Sequence, residues 1–196
     1  MTEKSISHEE SLNIIQTMID KAKNKMSQNG FHFLLWGVLV ILSSLTQYIL
    51  VMQGYGNNSN IVWIIMPVIG VPVGFIYEAR RNKVGTAEGY NDKTYSLVWL
   101  GFGIALGIGI FACASAHISP MPIILCIVGL ATFISGTIYR FKLLVIGGIV
   151  FWIAALATVF ISGPAQLLIN AGATFVGYII PGIALYNNYK KDSARV

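Results

Sequence analysis

Six long stretches without a charged residue constrain the fold of this chain more than any other feature. They are Phe31–Met52, Ile61–Tyr77, Tyr95–Ala116, Ile123–Tyr139, Leu143–Ile161 and Ala165–Tyr186. A helix needs about 20 mostly apolar residues to cross the hydrocarbon core of a bilayer. A core helix of a water-soluble protein would show a polar stripe, and a strand of a membrane barrel would alternate over about 10 residues. The sequence therefore predicts an all-α membrane protein with six transmembrane helices.

The composition excludes several other classes of protein. Only 11% of the 196 residues are charged and 55% are hydrophobic, whereas soluble domains carry about 25% charged residues. An ordinary soluble enzyme and a disordered chain are both excluded by these values. The two cysteines are too few for a disulfide scaffold or a cysteine-rich zinc module.

The charged residues predict the orientation in the membrane. All 13 Lys and Arg lie on one side of the predicted spans, in the segments 1–30, 78–94, 140–142 and 187–196. No charged residue occurs in the connections on the other side, which are Gln53–Asn60, His117–Pro122 and Ser162–Pro164. The positive-inside rule therefore predicts a multi-pass protein of the cytoplasmic membrane with both termini in the cytoplasm. Because the cations are spread over short membrane-edge segments, no nucleic-acid partner is predicted.

An amphipathic helix is predicted before the first span, over residues 8–28. Ser7 and Glu10 match a capping box at its start, and Asn29-Gly30 predicts its end. This helix has three candidate roles: to lie on the inner leaflet, to pack against the inner ends of the spans, or to bind a partner helix. Its apolar stripe recurs at spacings of three and four residues and consists of Leu12, Ile15, Ile19, Ala22 and Met26.

Similar ends of alternate spans predict an internal repeat. The second, fourth and sixth spans end in Gly74–Tyr77, Gly136–Tyr139 and Gly182–Tyr186. We interpret these matches as three helical hairpins of the same orientation. The alternative is that aromatic residues at a membrane edge are common without any repeat. The predicted divisions of the chain are a cytoplasmic helix (1–30), a six-helix transmembrane domain (31–186) and a cytoplasmic tail (187–196).

Pairs of small residues four apart predict close helix packing. Such pairs let backbones approach each other in a lipid environment. We expect these contacts inside one protomer, and the sequence leaves a homo-oligomer open. The pairs are Gly70/Gly74, Gly103/Gly107 and Ala105/Gly109.

Two prolines occupy corresponding positions in the second and sixth spans. Pro72 and Pro181 each lack a backbone donor, which frees the carbonyl four residues earlier, at Val68 and Gly177 respectively. Corresponding broken helices are typical of a transport site. The competing interpretation, which we favour, is a kink whose backbone groups find other partners. A polar cavity reaching Val68 and Gly177 would indicate transport, and a dry interior would indicate a scaffold.

The uncharged polar residues of the spans allow the same two interpretations. They can line a polar path, or they can bond across helices and back to their own carbonyls, which is the commoner use. They form three groups: Ser43, Ser44, Thr46 and Gln47; Thr132, Ser135 and Thr137; and Asn170 and Thr174.

No catalytic or metal site is predicted. The spans lack the ionisable groups that proton and ion handling require, and the chain contains no HExxH, GxSxG or phosphate-binding loop motif. Cys113, His117, Met121 and Cys126 are soft ligands that would suit Cu(I). Their alternative role is that of small buried hydrophobic residues and an interfacial histidine. We therefore predict neither enzymatic activity nor a cofactor.

The N-terminal fifth of the chain resembles a known family. The sequences Met18-Ile-Asp-Lys-Ala-Lys23 and Asn29-Gly-Phe-His-Phe-Leu-Leu-Trp-Gly37 are similar to a signature of small uncharacterised six-helix integral membrane proteins from Bacteroidetes bacteria. The resemblance implies a bacterial inner membrane and no specific activity. Our leading functional hypothesis is a regulatory or scaffold subunit that meets a cytoplasmic protein partner through residues 8–28 and 78–94. The alternative is an uncoupled channel or facilitator for a small neutral solute, and an intramembrane enzyme comes third.

Overall fold

The computed structural model describes the backbone of residues 8–81 and 90–193 and the side chains of residues 30–80 and 94–187. This part of the chain is helical and contains no strand. Its helices are α1 (His8–Met52), a short 3-10 helix (Gly56–Ile61), α2 (Val62–Arg81), α3 (Tyr90–Ser115), α4 (Met121–Ile138), α5 (Lys142–Phe160), α6 (Ala165–Thr174), a π turn (Phe175–Ile179) and α7 (Ile180–Ser193).

Six segments of the described helices are long and apolar enough to cross a membrane. They are Gly30–Met52, Gly56–Arg80, Thr94–Ser115, Met121–Ile138, Lys142–Phe160 and Ala165–Asn187. The prediction of six helices long and apolar enough to span a membrane is thereby confirmed in number and approximate position. We call them the first to sixth spans, and the sixth combines α6, the π turn and the first half of α7.

The predicted helix end at Asn29-Gly30 is wrong. Helix α1 continues through both residues into the first span. A Cβ atom on Gly30 would lie 3.1 Å from the Leu185 Cβ and 3.4 Å from the Gly182 carbonyl oxygen. The glycine therefore allows α1 and α7 to approach closely, and this packing replaces the left-handed turn that local sequence rules predict.

The helices pack in an order that differs from their order along the chain. Helix α1 contacts the whole sixth span on one side and α2 on the other, the sixth span contacts α5, α5 contacts α4, and α4 contacts α3. The first, fourth, fifth and sixth spans therefore form the centre of the bundle. The second and third spans flank this centre and pack mainly against α1 and α4, respectively.

Of the described helices, α4 and α5 make the most extensive contact with each other. A Cβ on Gly148 would lie 2.8 Å from the Gly129 carbonyl oxygen, and a Cβ on Gly136 would lie 2.6 Å from the Val145 backbone nitrogen. Side chains larger than hydrogen at Gly136 and Gly148 would therefore collide with backbone atoms. This pair joins helices of two different predicted hairpins, and the three-hairpin repeat stays a prediction.

The predicted small-residue contacts are found for two of the three pairs. Gly70 lies against Trp36 and Leu39, and a Cβ on Gly109 would lie 2.9 Å from an Ile123 methyl group. The expectation of packing inside the protomer is wrong for Gly103/Gly107, since a Cβ on either glycine would meet no atom within 4 Å. Their face of α3 points away from the bundle.

Candidate functional site

The sixth span is irregular where the sequence places a proline-induced break. A π turn occupies Phe175–Ile179, directly before Pro181, and the backbone N–H of Ile180 donates to the Phe175 carbonyl oxygen. A proline cannot donate a backbone hydrogen bond, and its ring collides with the carbonyl four residues earlier. A wider π turn is one of the ways in which a helix relieves such a conflict.

Helix α5 packs closely against Gly177. A Cβ on Gly147 of α5 would lie 2.7 Å from the Gly177 carbonyl oxygen, and a Cβ on Gly177 would lie 2.5 Å from the Phe151 ring. Pro181 is less than 2% exposed. Even one carbon atom added to Gly147 would overlap the Gly177 carbonyl oxygen, so the backbone of α5 lies directly against the carbonyl that Pro181 frees.

The corresponding position in the second span has a different environment. Val68 exposes 66% of its side chain and Pro72 is also exposed, both on the outward face of α2. Helix α2 packs against α1, whereas Gly177 and Pro181 lie on the far side of α1 in the sixth span. The structure therefore does not bring Val68 and Gly177 to one cavity.

Gln47 forms a polar network with the short 3-10 helix and the start of α2. Its amide nitrogen donates to the Asn60 Oδ1 at 2.6 Å, and its Oε1 accepts from the Trp63 Nε1 at 2.5 Å. The Ser59 hydroxyl donates to the Gly56 carbonyl oxygen at 2.6 Å. These bonds hold the short 3-10 helix on the end of α1 and satisfy polar groups that would be costly to bury alone.

A second set of hydrogen bonds connects the sixth span to its neighbours. The Asn170 amide donates to the buried Ser44 hydroxyl at 2.8 Å, joining α6 to α1. The Gln166 amide nitrogen donates to the Thr158 carbonyl oxygen at 2.8 Å, and its Oε1 accepts from the Ser119 hydroxyl at 2.6 Å. These three bonds link protein groups to one another, which favours a structural role for the network.

The hydroxyl groups of α4 bond to their own helix. Thr132, Ser135 and Thr137 donate to the carbonyl oxygens of Val128, Ala131 and Phe133 at 2.7, 2.7 and 3.0 Å. With the Asn170–Ser44 bond, they confirm the structural interpretation of these polar residues. Four other members of the polar groups are placed as follows: Ser43, Gln47 and Thr174 are buried and Thr46 is exposed.

Aromatic rings fill the bundle between the Asn170–Ser44 hydrogen bond and the end of the bundle predicted to face the cytoplasm. The Tyr178 ring centroid lies 5.4 Å from that of Phe33 and 5.1 Å from that of Phe151, and its hydroxyl lies 3.4 Å from the Thr132 hydroxyl. Trp99 of α3 packs 6.2 Å from Phe33, centroid to centroid. The interior between α1, α5 and the sixth span is therefore filled by side chains at this level.

The cysteine and histidine side chains around the third and fourth spans do not form a metal site with the other described His, Cys, Asp or Glu residues. Cys113 is 1% exposed, Cys126 is exposed, and His117 adopts a left-handed backbone conformation with φ of 57° in the turn. Among the described residues, no three His, Cys, Asp or Glu side chains gather closely enough to hold a metal ion.

Two features of this region were not predicted from the sequence. The Gln47–Trp63–Asn60 network joins the first span to residues 13 and 16 positions later, and its one local signal is Gln47 in the polar group of that span. The extent of the π turn depends on how α5 packs against it. The apolar stripe before the first span (Leu12, Ile15, Ile19, Ala22 and Met26) lies in the helical backbone of α1, but its side chains fall outside the described residues.

Comparisons of the chain with protein-family models, curated proteins and solved structures found no match. The resemblance to Bacteroidetes membrane proteins therefore stays a prediction. The structure itself gives a helical bundle of six membrane-compatible helices with a hydrogen-bonded, packed centre.

Proposed function

We propose that this protein is a multi-pass inner-membrane protein that acts without catalysis, as a regulatory or scaffold subunit. Both termini lie in the cytoplasm in this proposal, and residues 8–28 together with the loop 78–94 meet a cytoplasmic protein partner. The six membrane-compatible helices support the location. The 13 Lys and Arg on one side of the spans support the orientation.

The packing around Gly177 carries the choice between a scaffold and a facilitator. A neutral solute needs backbone or side-chain polar groups that line a path, usually where helices are broken. The broken helix is present, but α5 packs directly against it: Gly147 lies against the Gly177 carbonyl oxygen, and the Phe151 ring lies against the Gly177 Cα. Packed protein occupies the place where a solute site is expected, which favours the scaffold.

The continuity of α1 supports a partner-binding role for the N-terminal helix. A helix lying on the membrane surface needs a break or a sharp kink where it meets the first span, and kinks have local causes such as proline or a π turn. Helix α1 runs from His8 to Met52 without such a break. The 22 residues of α1 before Gly30 extend by about 33 Å at 1.5 Å per residue. A partner bound there would be connected rigidly to the first span.

Substitutions on the two faces of the N-terminal helix test this proposal. Ile15→Asp with Ile19→Asp places two charges in the apolar stripe, whereas Asn13→Asp with Asn24→Asp adds two equal charges on the opposite face. The loss of two Ile side chains from a partner interface would cost about 1.5–3 kcal/mol each, enough to weaken partner binding by more than tenfold. Each full-length protein is purified from native membranes, and the co-purified cytoplasmic proteins are quantified by mass spectrometry.

We expect a protein that co-purifies with the unmodified chain and the Asn variant and is lost from the Ile variant. Membrane fractionation should be unchanged in both variants, since the first span keeps its full apolar length. Equal recovery of the same proteins by all three chains would contradict a partner role for the stripe.

A further inference from the structure

A groove lies between α1 and α2 at the end of the bundle that carries the cations. Its described lining residues are Phe31, Val73, Ile76, Tyr77 and Arg80, and its volume is about 440 Å³. That volume falls in the range of about 300–1,000 Å³ typical of small-molecule sites. The Phe31 and Tyr77 rings stack at one side of the groove, with centroids 3.6 Å apart and an interplanar angle of 13°.

The four α2 residues of the groove share one helix face. Val73, Ile76, Tyr77 and Arg80 follow the spacing i, i+3, i+4 and i+7 that places side chains on one side of a helix. The apolar members therefore lie deeper along the span and Arg80 lies at its end. Glu78 projects about 140° around the helix from Val73, at 100° per residue, so it belongs to another face.

We propose that this groove binds one phospholipid with an anionic headgroup. The lipid phosphate pairs with the Arg80 guanidinium, whose planar donors suit two phosphate oxygens. The upper part of one acyl chain lies along Val73 and Ile76, which are 38% and 53% exposed in the protein alone. The combination of a cation at the membrane edge with an apolar groove below it matches the two halves of a phospholipid.

The geometry distinguishes this site from a simple membrane-edge anchor. An isolated Arg at a membrane edge only extends to the headgroups and binds lipids without a defined seat. Lys142 is such a cation, because it is an exposed residue at the start of α5 and does not line the groove. Arg80 differs because a shaped cavity adjoins it.

Binding of phosphatidylglycerol and phosphatidylcholine to the purified full-length protein tests the proposal by native mass spectrometry. Arg80→Gln removes the charge at the groove, and Lys142→Gln is its matched control. Val73→Phe partly fills the groove, and Val68→Phe adds the same bulk on an exposed position of the same helix outside it. Glycerol 3-phosphate is added as a headgroup without acyl chains.

The unmodified protein should retain phosphatidylglycerol over phosphatidylcholine. Arg80→Gln should weaken phosphatidylglycerol binding by about tenfold, the scale of a hydrogen bond to a charged group, and remove that preference. Val73→Phe should weaken binding of both lipids, while Lys142→Gln and Val68→Phe should leave both unchanged.

Four results would each overturn the proposal. They are equal binding of the two lipids by the unmodified protein, no loss in Arg80→Gln, the same loss in Lys142→Gln as in Arg80→Gln, and the same loss in Val68→Phe as in Val73→Phe. Displacement of the lipid by glycerol 3-phosphate would instead indicate a site for a soluble phosphate compound and would also contradict a lipid site.

Discussion

The close approach of α5 to the π turn makes Gly147 sensitive to a single methyl group. In a Gly147→Ala variant the new Cβ would lie 2.7 Å from the Gly177 carbonyl oxygen and 3.1 Å from the Gly177 Cα. Both contacts are with backbone atoms, so no side chain can rotate away. Either α5 or the π turn must shift, which would also disturb the contact between Gly177 and Phe151.

Gly107→Ala is a matched control for this substitution. Gly107 also lies within a spanning helix, and a Cβ on it would meet no atom within 4 Å. Both variants gain the same helix propensity, about 1 kcal/mol for Gly to Ala. The difference between them therefore measures the steric cost alone, which we expect to be about 1–3 kcal/mol.

Thermal unfolding of the purified variants in one detergent, followed by tryptophan fluorescence, checks this expectation. A chain of this size loses about 2–4 °C in Tm per kcal/mol. Gly147→Ala should therefore unfold about 2–12 °C below Gly107→Ala. If Gly147→Ala were as stable as Gly107→Ala, the packing around Gly177 would be looser than described, and the argument against a solute site there would fail.

Two further predictions concern the hydrogen-bond network and the topology. Trp63→Phe removes the donor to Gln47 and should cost about 1–3 kcal/mol in the same unfolding assay; a variant as stable as the unmodified protein would contradict this assignment. In a chain without its two native cysteines, a Cys at Ser162 should react with a membrane-impermeant thiol reagent added to intact cells, and a Cys at Lys142 should not. The reverse labelling would invert the predicted topology.

The spans were predictable from sequence because long uncharged segments have few other stable solutions. Local sequence rules failed where residues that are distant along the chain determine the helix ends and contacts. Asn29-Gly30 is a good helix end by its own chemistry, but Gly182 and Leu185, more than 150 positions later, provide a surface that favours a continuous helix. Likewise, Gly70/Gly74 and Gly103/Gly107 have the same spacing, and only the tertiary arrangement places one pair against α1 and the other on an outer face.

The sixth span shows the same limit at the candidate site. Pro181 indicated a break and Gly177 as the residue whose carbonyl it frees, and the π turn lies at that place. Whether the carbonyl faces a cavity or protein atoms depends on Gly147 and Phe151, which belong to another helix. No pattern within the sixth span carries that information.

Solute flux through reconstituted vesicles tests most directly whether the protein is a scaffold. Light scattering follows the swelling of vesicles in glycerol or urea, with protein-free vesicles and a Pro72→Ala variant as controls. A closed bundle predicts the same swelling rate with and without protein, and no change on Pro181→Ala. Flux of either solute above that of protein-free vesicles, lost in Pro181→Ala and kept in Pro72→Ala, would place a solute path at the π turn and contradict the scaffold.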